Sequence, residues 1–193
     1  MEAPWSLIES TFSPAEAAKI TGVSTGLQRQ WRNRRLLVAA SRGRASITVN
    51  GLIELSVLRE CSESKIGLEA VTRALPSLCA EATFHLALMT ERWAFCGGDE
   101  ALQQFRNWAG PHDMLGTNYI SSMLPDQPKD LGRYMVISST AVRLLNDLQE
   151  LMDEFPEKPA VLLDSWGIAR GLVKRTSKPF FWVRKAAGPQ RMR

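Results

Sequence analysis

At 193 residues the chain is larger than a minimal domain, and 45% hydrophobic residues suffice for a sizeable core. No run reaches the roughly 18 apolar residues of a membrane span, and no basic-then-apolar secretion signal opens the sequence. The formal net charge is only +4, but the charges are strongly segregated.

Between Glu16 and Glu54 lie Lys19, Arg29, Arg32, Arg34, Arg35, Arg42 and Arg44, with no carboxylate among them. From Ser165 to Arg193 there are eight Arg or Lys residues and again no Asp or Glu. The middle holds acids such as Glu60, Glu63, Glu81 and Asp99. Such segregation concentrates positive potential at two places, as a polyanionic partner requires. Cys61, Cys79 and Cys96 are too widely spaced for a disulfide framework or a thiolate metal cluster. Each reads as a buried small hydrophobe in a reduced, cytoplasmic chain.

Ser13-Pro14-Ala15-Glu16 predicts a helix start, with Ser13 as cap, Pro14 at the first helical position and Glu16 completing a capping box. Thr21-Gly22 stops that helix, and Ser24 caps a second from about Thr25 to Arg34. Leu27 and Trp31, four apart, are expected to face the core, which turns Thr25, Arg29, Arg32 and Asn33 to solvent. Donors without carboxylates on one helix face suit the major groove, where arginine reads guanine edges or clamps phosphates. Trp31 itself reads as a core plug. Leu36 to Ala40 and Ala45 to Ile47 are expected to form a two-stranded wing tipped by Arg42 and Arg44, with Arg35 just before it. Thr48 caps a third helix carrying Leu52, Ile53, Leu55 and Leu58, and a fourth begins near Ser64.

Residues 11–75 resemble the DNA-binding domain of the MerR superfamily. The likeness rests on Ser13 through Gly22-Val23-Ser24, on Thr25-Gly26-Leu27-Gln28-Arg29-Gln30-Trp31, on Leu36-Leu37, on Gly43-Arg44 with Thr48 before Leu52, and on Ile66 to Val71. Arg29 stands where that family contacts the DNA backbone, and Trp31 where it usually has the second of two tyrosines. The chain departs from the pattern at Gln28, where a leucine is usual, at Gln30, in the early wing arginine Arg44, and at Gly51. The resemblance implies a winged helix-turn-helix, two protomers paired through the segment that follows, and a regulatory unit beyond.

Further along, a helix is expected from Leu78 to about Phe95, ended by Gly97-Gly98, then a shorter one from Glu100 to Trp108. Residues 118–132 read as a linker, Tyr134 to Ser138 as a strand, and Leu144, Leu148 and Leu151 as one side of a helix capped by Ser139 or Thr140. Val161-Leu162-Leu163 is a short apolar run. Arg170, Lys174 and Arg175 sit on a helix before the strand-like Pro179 to Lys185, and with Lys178, Arg184 and Lys185 they offer a second basic surface.

The expected fold is therefore mainly α: a winged head over residues 1–75, a helical dimerisation or connecting region over 76–117, and an α+β unit with a few short strands over 118–193. The expected function is a dimeric, nucleoid-associated transcriptional regulator that binds double-stranded DNA, partnered by RNA polymerase or another regulatory protein. No catalytic group, metal or cofactor motif stands out. A phage-type DNA-architectural or recombination accessory protein would use the same head, as would a DNA-targeted adaptor or enzyme.

Overall fold

The computed structural model describes residues 5–37, 46–65, 68–109, 120, 123–124, 133–137, 142–147, 149 and 161–185. The fold is mainly α-helical with several short strands. Strand β1 (Trp5–Glu9) leads into helices α1 (Pro14–Thr21), α2 (Thr25–Asn33), α3 (Val49–Glu63), α4 (Leu68–Thr72) and α5 (Leu75–Leu88). After a 3-10 turn at Thr90–Arg92 come β2 (Trp93–Phe95) and α6 (Gly98–Ala109), then β3 (Tyr134–Ile137), β4 (Val142–Leu145) and β5 (Val161–Asp164). Helix α7 (Ser165–Arg175) and strand β6 (Phe181–Lys185) complete the order.

The helix starts form for the reasons the sequence gives. Ser13 Oγ accepts from the Glu16 amide at 3.2 Å while Glu16 Oε2 accepts from the Ser13 amide at 2.7 Å, a complete capping box. Ser24 and Thr48 accept likewise from Leu27 and Gly51, opening α2 and α3. Gly22 ends α1 in the left-handed conformation with φ of 75°, and Arg59 of α3 donates to the Thr21 carbonyl at 2.9 Å. A methyl group at Gly22 would strike that guanidinium, so this turn accepts glycine for two reasons.

Two three-stranded sheets brace the helices. In the first, β6 is central, antiparallel to β1 and parallel to β2. In the second, β3 is central and antiparallel to both β4 and β5. The first sheet draws its strands from both ends of the chain and from its middle. Its inward side chains, Trp5, Leu7, Phe181 and Val183, join the same apolar cluster as Trp31 of α2, Leu52 and Leu58 of α3, Leu78 of α5 and Leu172 of α7. One core thus serves the first and last described segments alike.

Several expectations are corrected. The helix drawn from Leu78 to Phe95 starts at Leu75 and ends at Leu88; Trp93–Phe95 is a strand. There the period is two: Trp93 and Phe95 both reach Phe105 of α6, with ring centroids 5.7 and 5.4 Å apart, while their backbones pair with β6. Val142–Leu145, expected in a helix, is also a strand, because β3 supplies a hydrogen-bonding partner that a short apolar run cannot reveal. Ser64 closes α3, and the next helix begins at Leu68. Cys61 and Cys79 are buried, but Cys96 is exposed. Of the expected wing, residues 38–45, including Arg42 and Arg44, lie outside the described residues; Ile47 pairs with Phe12, which precedes α1. The expected linker 118–132 also lies mostly outside them, and its described members Ile120, Met123 and Leu124 are buried. No helix among the described residues is long and apolar enough to cross a membrane.

Candidate nucleic-acid interface

Helices α1 and α2 meet across Gly22-Val23-Ser24, and α2 is held by two side chains. Trp31 is buried, as expected. Its partner, however, is Gln28 and not Leu27, which is only half-buried against the core. Gln28 Nε2 donates to the Pro14 carbonyl at 3.0 Å and the Val23 carbonyl at 2.9 Å, tying α2 to the start of α1 and to the turn. The helix is therefore rotated slightly from the expected seating. A glutamine at this position fixes two carbonyls that a leucine would leave to other donors.

That seating decides which side chains face out. Thr25, Arg29 and Asn33 are exposed, Arg32 is half-buried, and Arg34 and Arg35 are exposed at the helix end. Among the described residues no carboxylate forms an ion pair with any of these four arginines. The face is open and carries the Arg29 and Arg32 guanidinium groups with the Thr25 hydroxyl and the Asn33 amide, and no carboxylate. It can hydrogen-bond phosphate oxygens or the acceptor atoms of guanine, and it has no anionic group to repel either.

Arg35 has a second role. Its amide donates to Arg32 O and the Leu36 amide to Trp31 O, both at 3.0 Å, which is a Schellman closure of α2. The residue in the glycine position of that motif is Arg35, with φ of 58°. A left-handed backbone at a residue with a Cβ costs roughly 1–2 kcal/mol, part of which glycine would return as unfolded-chain entropy. Arg35→Gly should therefore raise unfolding stability by about 1 kcal/mol. The same variant should bind polyanions less well. Urea titration beside a DNA-binding isotherm checks both, and a loss of stability would show that the arginine side chain holds the closure.

The tail cations fare differently from one another. Lys178, expected on a second basic surface, is half-buried and paired with a carboxylate. Its Nζ lies 2.9 Å from Glu16 Oε1 and 2.9 Å from the Thr11 carbonyl, and 4.6 Å from the centre of the Phe12 ring. Arg175 is exposed but close enough to Glu60 to pull that carboxyl down, against the desolvation that leaves it raised. Lys185 reaches Gln104 of α6 at 3.4 Å and lines a cavity of about 190 Å³ with Trp5 and Cys96. Arg170, Lys174 and Arg184 are exposed. The expected second surface is thus reduced to its outward members.

The Glu16 carboxyl is held down at about 2, first by the Ser13 amide, then by Lys178 and the Ser13 hydroxyl. A carboxyl lowered on folding stabilises the fold above its unfolded pKa and stops doing so as the pH falls through its folded pKa. The stability gap between wild type and Glu16→Gln should accordingly be full above about pH 4.5 and close between about 4.5 and 2. Denaturant midpoints across that range measure it. A gap that does not change with pH would mean the carboxylate charge is irrelevant.

Burial pushes the Cys61 thiol up to about 11 and the Cys79 thiol well above its usual range, so neither is poised to react. Among the described residues no group of three or more His, Cys, Asp or Glu side chains could hold a metal ion. No protein-family profile matches the chain, and no curated protein matches it.

Proposed function

We propose that the chain binds double-stranded DNA through α2 and acts as a sequence-specific transcriptional regulator. The observation that carries this reading is the seating of α2. Gln28 and Trp31 fix its inner edge, while Thr25, Arg29 and Asn33 stand exposed on its outer edge with no carboxylate bound to Arg29 or Arg32 among the described residues. A short helix held rigidly at one edge and lined with donors at the other is what major-groove insertion needs. The resemblance of residues 11–75 to the MerR superfamily supports the same reading. In this proposal α1 lies across the phosphate backbone, and residues 38–45 bring Arg42 and Arg44 to flanking phosphates.

Dimerisation, promoter DNA as the target and RNA polymerase or another regulatory protein as partner belong to the proposal. Two heads on spaced half-sites gain affinity through local concentration. Selection of bound sequences from random duplexes by the full chain tests it. The expected result is an enriched motif, with paired half-sites if two protomers bind together. Recovery of no motif, with no retention of duplex at low salt, would end this reading.

A further inference from the structure

We propose that the outward face of α7, carried by Arg170 and Lys174, together with Lys19 of α1, forms a second contact for the phosphates of the same DNA duplex. The proposal rests on the DNA-binding reading above and extends it beyond α2. All three side chains are exposed, and no carboxylate is paired with them among the described residues. Their neighbours explain why these cations and not the others are chosen. Lys178 is consumed by Glu16, and Arg175 shares its field with Glu60.

The patch is not a loose tail. Its helix is capped at the start by Asp164, whose Oδ1 accepts from the Gly167 amide at 3.0 Å. Near its end Arg92 donates to the Val173 carbonyl at 2.8 Å. Immediately beyond, Lys178 fastens the chain to Thr11 and Glu16, and β6 pairs along β1. Arg170 and Lys174 therefore keep a fixed position relative to α1.

That position is next to the helix expected to cross the DNA backbone. Gln28 of α2 reaches α1 at the Pro14 carbonyl, whereas Lys178 reaches it at Glu16, about 200° further round the helix. Helices α2 and α7 both pack on α1. Lys19, exposed on α1, stands on the side of that helix opposite its buried Ala17, Ile20 and Thr21. In the proposal, phosphates that flank the groove read by α2 are held by Lys19 and by the α7 cations. Such contacts read no bases; they fix register and raise the dependence on salt.

The test uses the full chain and a duplex carrying its selected site. Arg170→Gln/Lys174→Gln should lower the slope of log affinity against log salt by about 1.8. Raising salt from 50 to 200 mM would then cost wild type about 12-fold more affinity than the variant. The base preference should stay the same, and the backbone footprint should shorten at one end. An unchanged slope and footprint, with wild type binding normally, would overturn the proposal while leaving the α2 reading intact. So would an equal fall in slope for Lys65→Gln/Arg73→Gln, exposed cations in the turns after α3 and α4, because net charge alone would then account for it. Loss of polyglutamate binding with no change on DNA would assign the patch to an acidic protein and overturn it too. Failure of wild type to hold duplex DNA at low salt would instead sink the underlying reading.

Discussion

Phe181→Ala should destabilise the whole chain, its N-terminal helices included, by about 3–5 kcal/mol. Phe181 is fully buried in the central strand β6, level with Glu9 of β1 on one side and Trp93 of β2 on the other. Removing its ring opens a cavity where the two ends of the chain meet, in the cluster that also holds Trp31 and the apolar residues of α3 and α5. Close-packed neighbours on three strands leave little room for collapse, so the cavity term should persist. The next residue supplies the comparison. Trp182 points to the opposite face of the sheet and is 41% exposed, so Trp182→Ala should cost less than about 1 kcal/mol despite deleting a larger side chain. Urea titration followed by helical circular dichroism measures both. Equal losses, or a helical signal that melts apart from the rest in Phe181→Ala, would refute a shared core. By the same reasoning a chain ending at residue 75 lacks the strand that covers β1 and should not fold as it does in the full chain.

Local chemistry makes much of this legible in the sequence. Ser13, Ser24 and Thr48 are caps because a hydroxyl three residues before a free amide satisfies it wherever the chain goes next. Gly22 ends α1 for an equally local reason. What stayed hidden depends on partners far along the chain. Trp5-Ser6-Leu7 shows the alternation of a strand, but the segment is short and its partner lies some 180 residues away, at β6. Val142–Leu145 and Trp93–Phe95 are apolar enough for either regular structure, and a neighbouring strand decides for each. Gln28 was hidden by its polarity. Periodicity assigns a glutamine to solvent, and only the carbonyls of Pro14 and Val23 make its burial favourable. The same holds for Lys178: in sequence it is one more tail cation, and in the fold the Glu16 carboxylate pairs with it.

Replacing Arg29 and Arg32 together by alanine should all but abolish specific DNA binding while sparing the fold. Arg29 is exposed and Arg32 half-buried at the edge of α2, and neither has a carboxylate partner among the described residues whose loss would disturb the core. The anchors of the helix are Gln28 and Trp31, which the double variant keeps. Its unfolding midpoint should therefore stay close to that of wild type. On DNA two outcomes separate the roles of the guanidinium groups. If both contact phosphates, affinity falls on every sequence and the salt slope drops by about 1.8. If one is bidentate to a guanine, discrimination at that base pair is lost by roughly 1–3 kcal/mol and the slope falls less. Single variants assign the roles, since a base-reading arginine relaxes one position of the motif whereas a phosphate-binding one relaxes none. A double variant that binds its site as wild type does, over the full salt range, would leave α2 without a function at the groove. The cations would then have to act elsewhere, because a helix that merely packs has no need of a cationic outer edge without carboxylates.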